Sequence, residues 1–166
     1  MSRAFTREPD GDQVPDNEPE LPISPHPNYV TPAGFESLKA MLAERRAQLQ
    51  ARSAAQTGVE SKPEIARLER EIRYYEARVA SANPVIRTGP VPDTVAFGAT
   101  VTFEDPDGKR FSYQIVGEDE ADPGGGKISW RSPLARAAMG AAPGTTITWE
   151  RPDGDQVLTI VALAYS

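Results

Sequence analysis

The sequence has no cysteine and a single histidine, His26. No disulfide framework and no thiolate metal site can form, and a multi-histidine metal centre is excluded. The chain also lacks the run of about 18 apolar residues that a membrane-spanning helix needs. Its first residues, MSRAFTREPDGD, have no apolar stretch like that of a secretory signal. Positive charge is scarce as well: 18 Lys and Arg stand against 24 Asp and Glu, a formal net charge of −6. That balance disfavours a broad phosphate-binding surface as the main function. The expectation is a cytoplasmic chain with no membrane contact, whose 166 residues suffice for one domain or two small ones.

Three regions separate on composition. Residues 1–29 hold six of the prolines, and six acids against two arginines. Such a segment buries too little apolar surface to offset its chain entropy, and it reads as a disordered acidic tail. Residues 30–82 carry nine basic and seven acidic residues and no aspartate. Residues 83–166 contain most of the glycine and nearly all the alternation of β-branched residues.

The middle region reads as two helices. Thr31-Pro32 opens the first, with threonine as cap and proline in the first turn. Phe35, Leu38, Leu42 and Leu49 follow at heptad spacing, with Arg45 and Arg52 on the same stripe toward the far end. Gly58 is the expected stop. Ser61 or Lys62 caps the second helix, Pro63 lies in its first turn, and Ile65, Leu68, Ile72, Tyr75, Val79 and Ala82 alternate by three and four. Arg67, Arg70, Arg73 and Arg78 recur around it; most are expected on a solvated face paired with glutamates, the alternative being contact with an acidic partner or nucleic acid. Two such helices joined by a short turn pack antiparallel as a coiled-coil hairpin. At 1.5 Å per residue the arm is roughly 30–37 Å long, too long for an 80-residue domain to cover.

The last region reads as strands and turns. Ala99 to Phe103 alternates, Asp105-Pro106-Asp107-Gly108 turns, and Arg110 to Val116 returns. Lys127 to Trp130 is a short strand, and Ser132-Pro133 caps a short helix through Met139. Thr145 to Trp149, a turn at Arg151-Pro152-Asp153-Gly154, and a final strand from Gln156 to Ala164 complete it. The fold class is α+β: an N-terminal helical hairpin, then a compact domain with an antiparallel sheet.

Several stretches carry a resemblance. VAFGATVTF, YQIVGEDEAD, ISWRSPLARAAMG and the closing VALAY resemble the C-terminal domain of the Gre transcription elongation factors, GreA and GreB. YVTPAGFESL, where the arm begins, and EARVASANPVI, where it ends, do the same. The likeness covers about residues 29–166. It implies that residues 83–166 form an FKBP-like domain that grips the rim of the secondary channel of bacterial RNA polymerase. It implies that the hairpin, residues 30–82, enters that channel and comes near nucleic acid only within the elongation complex. In such factors two carboxylates at the tip help hold a second Mg²⁺ and a water, and the polymerase hydrolyses backtracked RNA at its own centre. The chain would then be no enzyme itself and would act as a monomer. It would have no cofactor of its own and at most share Mg²⁺ with the polymerase.

The tip, AAQTGVESKPE, departs from that pattern. The resemblance places an aspartate and a glutamate, three residues apart, after the tip glycine. If Gly58 is that glycine, the positions hold Val59 and Lys62. Glu60 and Glu64 are the carboxylates on offer, with Pro63 between them. They are either substitute metal ligands or, for Glu60, a solvated group and, for Glu64, a complement to the helix dipole. Both arms also look about two turns shorter than in GreA.

Other candidates follow from the same likeness. Glu118, Asp119, Glu120 and Asp122 form an acidic loop that is part of the polymerase-gripping surface, a solvated loop or, least in keeping with unoriented carboxylates, a metal site. Ser132, Pro133 and Leu134 match the segment that contacts the channel rim, with Leu134 equally suited to the core. Three functions stand open: a channel-binding regulator without cleavage activity, a cleavage factor using Glu60 and Glu64, and a peptidyl-prolyl isomerase suggested only by the fold, which does not fix function.

Overall fold

The structure, a computed structural model, describes residues 18–55, 58 and 61–166. Val59 and Glu60 at the tip lie outside the described residues. The first element is a two-residue strand, β1 (Tyr29–Val30), followed by α1 (Pro32–Ala54) and α2 (Lys62–Ser81). The 23 residues of α1 make an arm about 34 Å long. Thr31 caps it as its residue type predicts, accepting from Gly34 N at 2.9 Å. The helix ends at Ala54, short of Gly58. Ser61 does not cap α2 through its side chain; its hydroxyl donates to Gly58 O at 2.8 Å and tightens the turn instead.

Leu38 and Leu42 of α1 and Leu68 and Ile72 of α2 are buried where the two helices pack, on the stripes that the spacing predicts. Ion pairs also cross between the two helices. Arg45 donates to Glu71, Arg46 sits 2.7 Å from Glu76, and Arg52 sits 3.0 Å from Glu64. The hydrogen bond that Arg45 donates to Glu71 outweighs burial and holds the Arg45 guanidinium above its usual pKa. At the base, β1 pairs in parallel with β2 (Asn83–Pro84) and ties the two chain ends of the hairpin together.

The remaining strands are β3 (Thr100–Glu104), β4 (Arg110–Val116), β5 (Lys127–Ser129), β6 (Thr146–Trp149) and β7 (Gln156–Ala164). They form one sheet in the order β5-β4-β3-β7-β6. The two expected hairpin turns form, with Gly108 and Gly154 at positive φ, where a side chain would be strained. Within this sheet every pairing is antiparallel except β4 with β5, which is parallel. The loop from Gly117 to Gly126 makes that reversal, ending in a 3-10 turn at Pro123–Gly125. One short helix, α3 (Pro133–Ala138), lies against β6. Val101, Phe103, Ile115, Leu158 and Ile160 point inward from the sheet and meet Leu134, Ala135 and Ala138 of α3 in a single core.

Candidate functional site

Three places hold the candidate residues: the tip, the joint between hairpin and sheet, and the start of α3. At the tip, Lys62 is exposed at the first residue of α2. Glu64 is paired across the hairpin with Arg52, and Glu60 lies outside the described residues.

The joint is built from the acidic loop, which turns inward rather than outward. Gly117 starts it, and a Cβ there would collide with the backbone carbonyl of Tyr29. The close approach lets β1 lie on the sheet domain. The Tyr29 ring meets Trp130 edge-on at 5.2 Å and Phe97 at 6.2 Å. Arg78, one turn before the end of α2, is 2% exposed and reaches in three directions. Its Nε donates to Asp119 Oδ2 at 2.6 Å and its Nη2 to Asn28 Oδ1 at 2.7 Å. Glu118 Oε2 lies 3.8 Å from the same guanidinium and makes no hydrogen bond. Asn28 returns an amide donor to the Arg78 carbonyl at 2.8 Å. A buried guanidinium is tolerated only with such a set of partners.

The neighbouring carboxylates are used in the same way. Asp119 also accepts from the Tyr74 hydroxyl, and burial, followed by that hydrogen bond and the Asp119 charge, pushes the Tyr74 phenol well above its usual pKa. Glu120 Oε2 accepts from Thr31 Oγ1 at 2.6 Å, and its Oε1 lies 3.5 Å from Lys127 Nζ. Thr31 therefore caps α1 and ties it to the loop with one hydroxyl. Glu118 accepts from Ser24 Oγ at 3.1 Å. Asp122, exposed, bridges to Lys127 through its backbone and starts the 3-10 turn.

At α3, Ser132 accepts from Ala135 N at 3.3 Å and caps the helix. Pro133 is exposed, and Leu134, at 2% exposure, is part of the core and offers no surface. The structure thus brings Glu118, Asp119 and Glu120 together at the joint and sets Asp122, Ser132 and Pro133 apart from them.

Of the four arginines expected mostly on a solvated face, Arg67 and Arg73 are exposed, whereas Arg70 and Arg78 are 6% and 2% exposed. Sequence reasoning did not single out Asn28, Thr31 as a joint residue, or Tyr74. The available signal was position. Arg78 stands among Ala77, Val79 and Ala80 in the last turns of α2, where an arginine has little reason to be unless something faces it.

Comparisons with known proteins agree with the sheet region first. Residues 90–165 match the family described as "Transcription elongation factor, GreA/GreB, C-term". Transcription elongation factor GreB of Neisseria meningitidis serogroup B is 35% identical over 155 residues, covering 83% of this chain and 94% of that one. Transcription elongation factor GreA of Thioalkalivibrio sulfidiphilus is 43% identical over 100 residues, covering 59% of this chain and 63% of that one. The crystal structure of Thermus aquaticus Gfh1 shares 29% identity over 84% of this chain and 98% of its own, with a TM-score of 0.41.

Proposed function

The chain belongs to the GreA/GreB family of transcription elongation factors, and on that premise we propose that it regulates bacterial RNA polymerase from the secondary channel without supplying a metal-binding carboxylate pair. In this reading the sheet domain holds the channel rim, with Pro133 and the start of α3 as its contact. The hairpin, about 34 Å long, projects inward. It alters transcription by occupying the channel and does no chemistry of its own.

The observation that carries the reading is Lys62. With Gly58 taken as the family's tip glycine, Lys62 falls on the position of the second carboxylate, and its ammonium repels a divalent cation. Glu64 adds support: its carboxylate is already engaged by Arg52 at 3.0 Å. The described tip residues therefore do not suit a shared Mg²⁺, which takes carboxylate and water oxygens in near-octahedral order.

The test is a stalled, backtracked elongation complex given the protein and Mg²⁺. The expected result is no release of short 3′ RNA fragments above polymerase alone, together with binding to the core polymerase. Fragments released by the wild type but not by Glu60→Ala/Glu64→Ala would establish a cleavage factor instead.

A further inference from the structure

Acids make up 24 of the 166 residues, yet residues 123–149 contain no Asp or Glu. The same stretch carries Lys127, Arg131 and Arg136. It builds β5, α3 and β6, so one side of an acidic protein is free of negative side chains along its sequence. Lys127 reaches out of the stretch to Glu120 at 3.5 Å. The two arginines are left with no acid near them in sequence.

The structure gives them none from elsewhere among the described residues. The arginines of α1 and α2, and Arg110, are each paired with a carboxylate. Arg87 and Arg151 donate to the Phe97 carbonyl and to Gln156. Arg131 only stacks over the Trp130 ring, at 5.6 Å, which orients its guanidinium without neutralising it. The Arg136 side chain is exposed and has no hydrogen bond or ion pair among the described residues. Its direction is set by the helix. Leu134, Ala135 and Ala138 are buried, and at 3.6 residues per turn Arg136 points roughly 150° away from the middle of that face. Pro133 and Met139, the exposed apolar residues at the two ends of α3, stand three positions before and after it.

We propose that Arg131 and Arg136 are the charged part of the polymerase-binding face, and that the polymerase surface they meet carries carboxylates beside an apolar seat for Pro133 and Met139. The inference rests on the reading that α3 holds the channel rim, and it names the chemistry of the surface held there. A solvated arginine needs no partner. Keeping every acid out of the stretch around two arginines leaves their charge available to an approaching acidic surface, which it steers and orients. The planar guanidinium suits a carboxylate through two parallel hydrogen bonds.

The experiment measures binding of the full chain to core polymerase at about 50 mM and about 300 mM salt, where screening differs. R131Q/R136Q is compared with the charge-matched K109Q/R110Q, which changes two exposed residues where β4 begins. At low salt R131Q/R136Q should bind about tenfold more weakly than wild type, and at high salt within about threefold, while K109Q/R110Q stays within about twofold at both. R136Q alone leaves the Trp130 stack untouched and should lose about threefold at low salt. Equal weakening of the two double variants, a loss that does not shrink with salt, or wild-type binding by R136Q would each overturn the proposal. If wild type binds and R131Q/R136Q matches the control, the inference falls and the proposed function stands. If wild type does not bind core polymerase, both fall.

Discussion

Arg78 and Asp119, 41 residues apart in sequence, meet at 2.6 Å where the helical hairpin joins the sheet domain. The guanidinium is 2% exposed and its other branch is held by Asn28. One side chain therefore connects the segment before β1, the end of α2 and the loop after β4. The direction in which the arm leaves the sheet domain rests on this contact as much as on the apolar packing of Tyr29.

Removing the arginine should be costly. Arg78→Met leaves Asp119 and the Asn28 carbonyl without their cationic donor in a closed site, and a loss of about 3 kcal/mol is expected. Arg78→Lys should rescue little, because a single ammonium cannot reach both partners as the planar fork does. Urea unfolding of the three chains checks this; a lysine variant within about 0.5 kcal/mol of wild type would show that charge alone suffices.

The Tyr74 phenol gives the joint a pH dependence. Burial and its hydrogen bond to Asp119 raise its pKa above the ordinary value of 10.0. The folded state thus holds the proton more tightly than the unfolded chain. The stabilisation is fully present below about pH 10 and is lost as pH rises from there toward the folded-state value. Unfolding midpoints between pH 9 and 11 should fall more steeply for wild type than for Tyr74→Phe. Tyr75, raised mainly by burial, leaves some slope in the variant. Parallel slopes would mean that the Tyr74 hydroxyl is not engaged by Asp119 in solution.

The hairpin and the sheet strands were legible because they rest on local periodicity. Phe35, Leu38 and Leu42, and Ile65, Leu68 and Ile72, repeat by three and four, and Val101 and Phe103 alternate; each pattern states which side faces the core. The joint was not legible for the opposite reason. A run such as Glu118-Asp119-Glu120 reads as solvated unless its partners are known, and those partners, Ser24, Arg78, Tyr74 and Thr31, lie 41 to 94 residues away. The same distance problem hides the pairing of Arg70 with Glu18. The parallel pairing of β5 was also out of reach, since three residues, Lys127 to Ser129, carry no information on strand direction. Composition alone reads residues 1–29 as a disordered acidic tail; of these, residues 18–28 lie on the outside of α2, held by ion pairs to Arg70 and Arg73 that the composition does not reveal.

Gly117 offers a steric test of how the joint closes. A methyl group there would run into the Tyr29 carbonyl, a backbone atom that cannot rotate away. Gly117→Ala should cost about 1–3 kcal/mol and separate β1 from the sheet domain. The tyrosine would then leave the Trp130 ring, and near-ultraviolet circular dichroism should lose aromatic signal while the far-ultraviolet helix signal stays. An unaltered aromatic spectrum would place the approach of β1 elsewhere.

The start of α3 allows surface and core to be told apart within two residues. Pro133 is exposed, and Leu134 is 2% exposed among Ala135, Ala138 and the sheet. Leu134→Ala opens a cavity and should lower stability by about 2–5 kcal/mol, so any loss of polymerase capture in that variant reports unfolding. Pro133→Ala, and Met139→Ala at the other end of α3 where the side chain is 40% exposed, remove surface only. These two should keep the unfolding free energy within about 0.5 kcal/mol of wild type. If this face grips the channel rim, their capture of core polymerase falls although the fold is intact. Full capture by a chain carrying both surface changes would move the contact away from α3.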